Sequence, residues 1–181
     1  MTFSGNILAL DLATRTGWAF GRPGETPTFG RFLLHGDKPQ RYRELRAWLA
    51  PQLDQCARVI YESAALPMLM MGRTNTDAIR FLIGCCEHVD ELCHGVVELY
   101  EVRVAAVRVH FIGANLKRDL AKAKTRERCE GLGWRVTNDD EADACALWSY
   151  AVCTARPDLA HTHSPLFRPK RRLIDKQTLP S

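Results

Sequence analysis

The chain has 181 residues, 46% of them hydrophobic and 25% charged, the proportions of one globular domain able to bury its own core. No apolar run approaches the roughly 18–20 residues of a membrane span, and the start Met-Thr-Phe-Ser-Gly-Asn lacks the basic and apolar parts of a signal peptide, so a cytoplasmic protein without a membrane partner is expected. The net charge of +4 is uneven, with six basic against two acidic residues over 156–181 and again over 117–128, which suits a polyanionic partner.

Residues 6–11 are apolar enough for a strand buried on both faces. A turn through Ala13-Thr14-Arg15 leads to a second strand near 16–21, and the breaker-rich loop Arg22–Pro27 to a third near 28–35. Asp37 opens a helix to about Cys56, with Tyr42, Leu45, Leu49 and Leu53 on one face. A fourth strand covers 58–62, and a methionine-rich loop follows over 63–73. Thr74 or Thr76 then caps a long helix to about His94.

The fifth strand is expected at 96–102 and a connector at 103–113. A basic helix over 114–131 is stopped by Gly131 and Gly133, and a last helix runs from near Asp139 to before Pro157. A meander followed by alternating helix and strand implies an α/β fold, a five-stranded mixed sheet with helices on both faces. The domain spans 1–155, and periodicity then disappears, so 156–181 reads as a flexible basic tail. The seven cysteines include no CxxC pair and read as small apolar residues. Cys85, Cys86, His88, Cys93 and His94 fall on several faces of one predicted helix, a poor tetrahedral set for zinc.

Four carboxylates carry the functional signal. Asp11 ends the run Ile7-Leu8-Ala9-Leu10, Glu62 ends Val59-Ile60-Tyr61, and Asp140 and Asp143 open the last helix three residues apart, on one side of it. Gathered acids repel unless a cation lies between them, and Mg²⁺ prefers oxygen ligands and keeps positions open for phosphate. Mn²⁺ would substitute. Two such ions suit phosphodiester hydrolysis. Taken singly, Asp140 as a helix cap and Glu62 as an ordinary strand end are adequate explanations. Asp139 lies at the same helix start and is an alternative to Asp140.

The layout over about residues 6–155 resembles the ribonuclease H-like fold and, within it, the RuvC-type Holliday-junction resolvases. The resemblance rests on Ile7-Leu8-Ala9-Leu10-Asp11 with Thr14-Arg15-Thr16-Gly17-Trp18-Ala19, on Val59-Ile60-Tyr61-Glu62, and on Asp140-Glu141-Ala142-Asp143-Ala144. It implies Asp11, Glu62, Asp140 and Asp143 as catalytic metal ligands. Val107-Arg108, Gly113 and Lys117 resemble the family's basic element, implying phosphate contacts by Arg108 and Lys117 and a catalytic part for Lys117. Lys124 and Arg73 are further candidate DNA contacts. The resemblance also implies cleavage of branched DNA, four-way junctions above all, by a homodimer that works with branch-migration machinery. The helix at 74–94, with Ile79, Leu82, Ile83, Cys86 and Val89, is the expected dimer interface, the alternative being that these residues only pack on the sheet.

The chain departs from the family pattern at two places. Asp11-Leu12-Ala13 stands where Asp-Pro-Gly is usual, and Ala65-Leu66-Pro67-Met68 stands where an aromatic wedge commonly follows the second acid. The pattern is similar to the divergent phage and prophage branch. Three other readings compete. Asp11–Gly17 resembles the phosphate loop of actin-like ATPases, but those enclose nucleotide between two such domains. A metal-free DNA-binding relative would not need four clustered acids. A ribonuclease H-like nuclease for flaps or other branches shares the same acids and differs only in loops and dimer surface.

Overall fold

Side chains on a strand alternate between faces, and in this protein that alternation sorts the core into two halves. The computed structural model describes residues 3–64 and 76–163. Strand β1 (Ile7–Asp11) is buried along its first four residues. Leu8 and Leu10 point into one apolar cluster and Ile7 and Ala9 into another. Both faces of the central strand are thus consumed by packing, which is why its sequence is a continuous apolar run.

Five strands form one sheet in the order β3-β2-β1-β4-β5. Strands β2 (Arg15–Gly21) and β3 (Thr28–Leu33) complete an antiparallel meander with β1. Strand β4 (Arg58–Glu62) pairs parallel with β1, and β5 (Glu98–Val102) parallel with β4. Parallel neighbours need a crossover, supplied by helix α1 (Lys38–Leu53) and helix α2 (Thr76–Cys93). Both cover the Leu8–Leu10 face through Leu45, Leu49 and Leu53 of α1 and Phe81, Cys85, Val89 and Cys93 of α2.

Helix α1 begins where the sequence places it. Asp37 accepts from the Gln40 amide while the Gln40 side chain accepts from the Asp37 amide, a reciprocal cap that satisfies two otherwise orphaned donors.

The opposite face carries helix α5 (Asp139–Ala155), flanked by α3 (Val104–Ile112) and α4 (Arg118–Gly131). Helix α5 lies close because the residues of β2 beneath it are small. Gly17, Ala19 and Gly21 stand opposite Asp11, Ala9 and Ile7. A Cβ built on Gly17 would sit 2.0 Å from the Asp140 carbonyl oxygen, so only glycine admits the start of α5 there.

Three expectations are corrected. Residues 103–113 are not a connector: 104–112 form α3, ended by Gly113 in the left-handed conformation at φ 81°. Its composition, Val-Ala-Ala-Val-Arg-Val-His-Phe-Ile, is apolar around most of the circumference, so no 3.6-residue period shows. The basic helix starts at Arg118 rather than 114.

The tail expected from 156 is folded through its first part, with a 3-10 turn at Pro157–Leu159 and a single helical turn, α6 (Ala160–His163). His163 is buried against Trp134 and Trp148, with ring centroids 5.5 and 5.7 Å away. Its carbonyl accepts from Arg128 at 2.9 Å.

Helix α2 divides its apolar residues between the core and the surface. Ile79, Cys86 and Val89 are buried in this chain's own core, which leaves Leu82 half-buried and Ile83 exposed. Cys85, Cys86 and Cys93 are buried free thiols, while His88 rests on the ring of Tyr42. Among the described residues no helix is long and apolar enough to cross a membrane.

Candidate active site

Strand parity brings the first two acids together. Asp11 continues the Ile7–Ala9 face, and Glu62 continues the face of Ile60 on β4. Leu10 is level with Tyr61 in the parallel ladder, so one further step sets Asp11 beside Glu62 at the same end of the sheet. Both point to the side covered by α5, and the seat at Gly17 lays the first turn of that helix over them.

The first turn of α5 is organised by its cap. Asn138 Oδ1 accepts from the Glu141 amide at 3.0 Å, and Glu141 Oε2 accepts from the Thr137 amide and hydroxyl at 2.7 and 3.0 Å. Glu141 is thereby engaged in the cap. Asp140 and Asp143 are left to face the sheet. The positive end of the α5 dipole favours negative charge at this point.

The electrostatics show that the four acids share one environment. Asp11 is raised well above its ordinary value, first by burial and then by Asp143, Glu62 and Asp140. Burial, then Asp143, pushes Glu62 up to about 7, while Arg108 opposes. Burial pushes Asp143 up to about 6 against the pull of Lys122 and Arg108. Carboxyls buried and crowded together in this way favour a bound cation. Among the described residues no three His, Cys, Asp or Glu side chains close tightly enough around one point to grip an ion as they stand. The donor set is all oxygen, which fits a hard divalent cation; a cation would have to draw the carboxylates inward.

Cations border the acids on three sides. Arg31 of β3 lies 3.7 Å from Asp140. Arg108 of α3 lines a small cavity together with Glu62, Thr125 and Asp143. Lys122 of α4 donates to Asp139 at 2.9 Å, and Arg126 lies 3.7 Å from the same carboxylate.

Both candidates at the start of α5 bear on the other acids. Asp139 pairs with Lys122 and Arg126 of α4 and raises Asp143, whereas Asp140 pairs with Arg31 and raises Asp11 and Asp143. Lys117 is the exposed N-cap residue of α4, and Lys124 is exposed farther along that helix. Lys122, unmarked in the sequence reading, is the lysine that reaches the carboxylates. Its i, i+4 spacing from Arg118 and Arg126 puts it on a basic stripe of α4 but does not single it out. Arg73 and the wedge position 65–68 lie outside the described residues.

Three solved structures share this architecture. Thermus thermophilus RuvC in complex with a Holliday junction substrate matches with a TM-score of 0.63 at 13% identity, over 85% of this chain and 96% of that one. The chain has the ribonuclease H-like fold. A second Thermus thermophilus RuvC structure gives 0.54 at 16% identity, over 82% and 95%. The yeast mitochondrial Holliday junction resolvase Ydc2 gives 0.58 at 13%, over 88% and 85%. No protein-family model and no curated protein matches the sequence. In this chain the four acids lie at the end of β1 and β4 beneath the start of α5.

Proposed function

We propose that this chain is a structure-selective endonuclease that cuts branched DNA, four-way junctions foremost, by metal-assisted phosphodiester hydrolysis. The observation that carries the reading is the meeting of Asp11, Glu62, Asp140 and Asp143 at one end of the sheet, where burial and mutual repulsion raise three of them. Support comes from the likeness to a resolvase bound to its junction over 96% of that chain's length.

Asp11, Glu62, Asp140 and Asp143 would hold Mg²⁺, or Mn²⁺ in its place, as two ions. When bound, the metal lowers the cost of generating hydroxide and of charge on the leaving oxygen. The protein's own part is placement. Asp11 and Glu62 are fixed by paired strands, and Asp140 and Asp143 by a capped helix. Lys122 and Arg108 stand beside the acids and are suited to hold the phosphate being cut. Lys117, Lys124 and Arg73 are proposed to contact phosphates farther away.

A homodimer would present two such sites to the two-fold related strands of a junction. A nuclease acting on flaps would use the same acids. Cleavage of four-way, three-way and linear duplexes side by side in Mg²⁺ or Mn²⁺ tests the reading. Paired symmetric nicks in the four-way substrate are expected. Equal cutting of all three, or cutting of the three-way substrate alone, contradicts junction selectivity.

A further inference from the structure

A cavity of about 660 Å³ lies where β1 ends, on the side away from α5. Leu12, Ala13 and Thr14, the residues immediately after Asp11, form one wall. The first turns of α1 and α2 form the others, contributing Lys38 and Arg41 from one and Arg80 from the other, with Asp77 the acidic residue among the lining. Lys38 and Arg80 are exposed, and Arg41 is half-buried. Among the described residues none of the three cations forms an ion pair.

Arg41 is held without being neutralised. Its guanidinium lies 5.7 Å from the centroid of the Phe81 ring, and Tyr42 stacks on that ring at 5.4 Å. The Tyr42 hydroxyl is tied to the carbonyls of Arg80 and Phe81 at 3.4 and 3.3 Å, which locks α1 to α2 at this level. Arg41 Nε is buried with no hydrogen-bond partner. Leaving such a donor unmet is unfavourable. The fold thus gives this cation an aromatic ring but neither a counter-charge nor an acceptor for Nε.

We infer that this groove binds the phosphodiester backbone of a single DNA strand, as a second phosphate site across the end of β1 from the carboxylates. The inference deepens the nuclease reading and rests on it for the choice of polyanion. Three unpaired cations over an apolar floor of Leu12 and Phe81 suit phosphates with a sugar edge against the wall. Only the turn 12–14 separates the groove from Asp11, so one strand can run from the groove to the cutting site.

The test is binding of a labelled 20-nucleotide single strand and of a four-way junction, in chelator so that no cleavage intervenes. It compares wild type with Lys38→Gln/Arg41→Gln/Arg80→Gln over a range of salt. Each lost contact to a single strand removes about 0.7 from the slope of log K against log salt. The triple variant is therefore expected to lose about two from the slope and about tenfold in affinity at moderate salt. If it melts early, Lys38→Gln/Arg80→Gln, both exposed, gives the reading with a loss of a little over one. Arg41→Lys, which keeps the charge, should recover most of the slope.

Slope and affinity equal to wild type in the double and triple variants would overturn the groove, even if the wild type cuts junctions. Conversely, weakened strand binding by the variants of a wild type that cuts no DNA would leave the groove standing and remove the nuclease.

Discussion

Burial and mutual repulsion raise Asp11, Glu62 and Asp143 together, so the site stores unfavourable free energy that a cation would release. The sign follows from linkage. Glu62 moves from 4.5 unfolded to about 7 folded, so the fold keeps a proton that the unfolded chain gives up. The stability tied to that proton is full below pH 4.5 and is lost as pH rises through about 7. Glu62→Gln should therefore stabilise the metal-free protein at pH 8 by on the order of 1–3 kcal/mol and do little at pH 5. Denaturant titration in chelator at both pH values checks this, and an equal effect at the two would contradict it. Lys122→Ala should slow single-turnover cleavage about 10²-fold, more than Lys117→Ala does, because Lys122 alone of the two reaches the acids. A larger loss from Lys117→Ala would restore the role that the sequence gave it.

At the scale of elements, the seat of α5 on β2 turns the sequence pattern into a site. A side chain at Gly17 meets backbone 2.0 Å away and cannot be relieved by a rotamer change. Gly17→Ala is expected to cost about 1–3 kcal/mol and to lower cleavage by moving Asp140 from Asp11. A thermal melt together with a cleavage rate would read both effects, and wild-type values of both would remove this account of the glycine.

Much of this level was legible in the sequence. Continuous apolar runs marked β1 and β4, Asp37 marked the start of α1, and Asp11 and Glu62 could be set side by side from strand parity. Helix α3 was hidden because apolar residues nearly all round it erase the helical period. Lys122 was hidden because one basic residue among five on a helix is told apart only by what lies opposite, which is a tertiary fact. Which neighbours Asp139 and Asp140 meet likewise depended on which side of α5 met the sheet.

At the scale of the molecule, residues 157–163 close over Trp134 and Trp148 and belong to the folded body. Removing 164–181 takes away Arg168, Lys170, Arg171, Arg172 and Lys176. It should weaken binding to all DNAs alike and flatten its salt dependence. Removing 157–181 should also destabilise the fold, because the His163 ring leaves its pocket. Equal melting temperatures for the two truncations would contradict that assignment.

The central claim is that the four acids form one metal-dependent hydrolytic centre. Its most direct test is single-turnover cleavage of a four-way junction by wild type and Asp11→Asn, each at saturating protein with Mg²⁺ and with chelator. Wild type is expected to cut only with Mg²⁺, and Asp11→Asn to bind the junction yet cut at least about 10³-fold more slowly. Undiminished cutting by Asp11→Asn, or by wild type in chelator, would contradict the account.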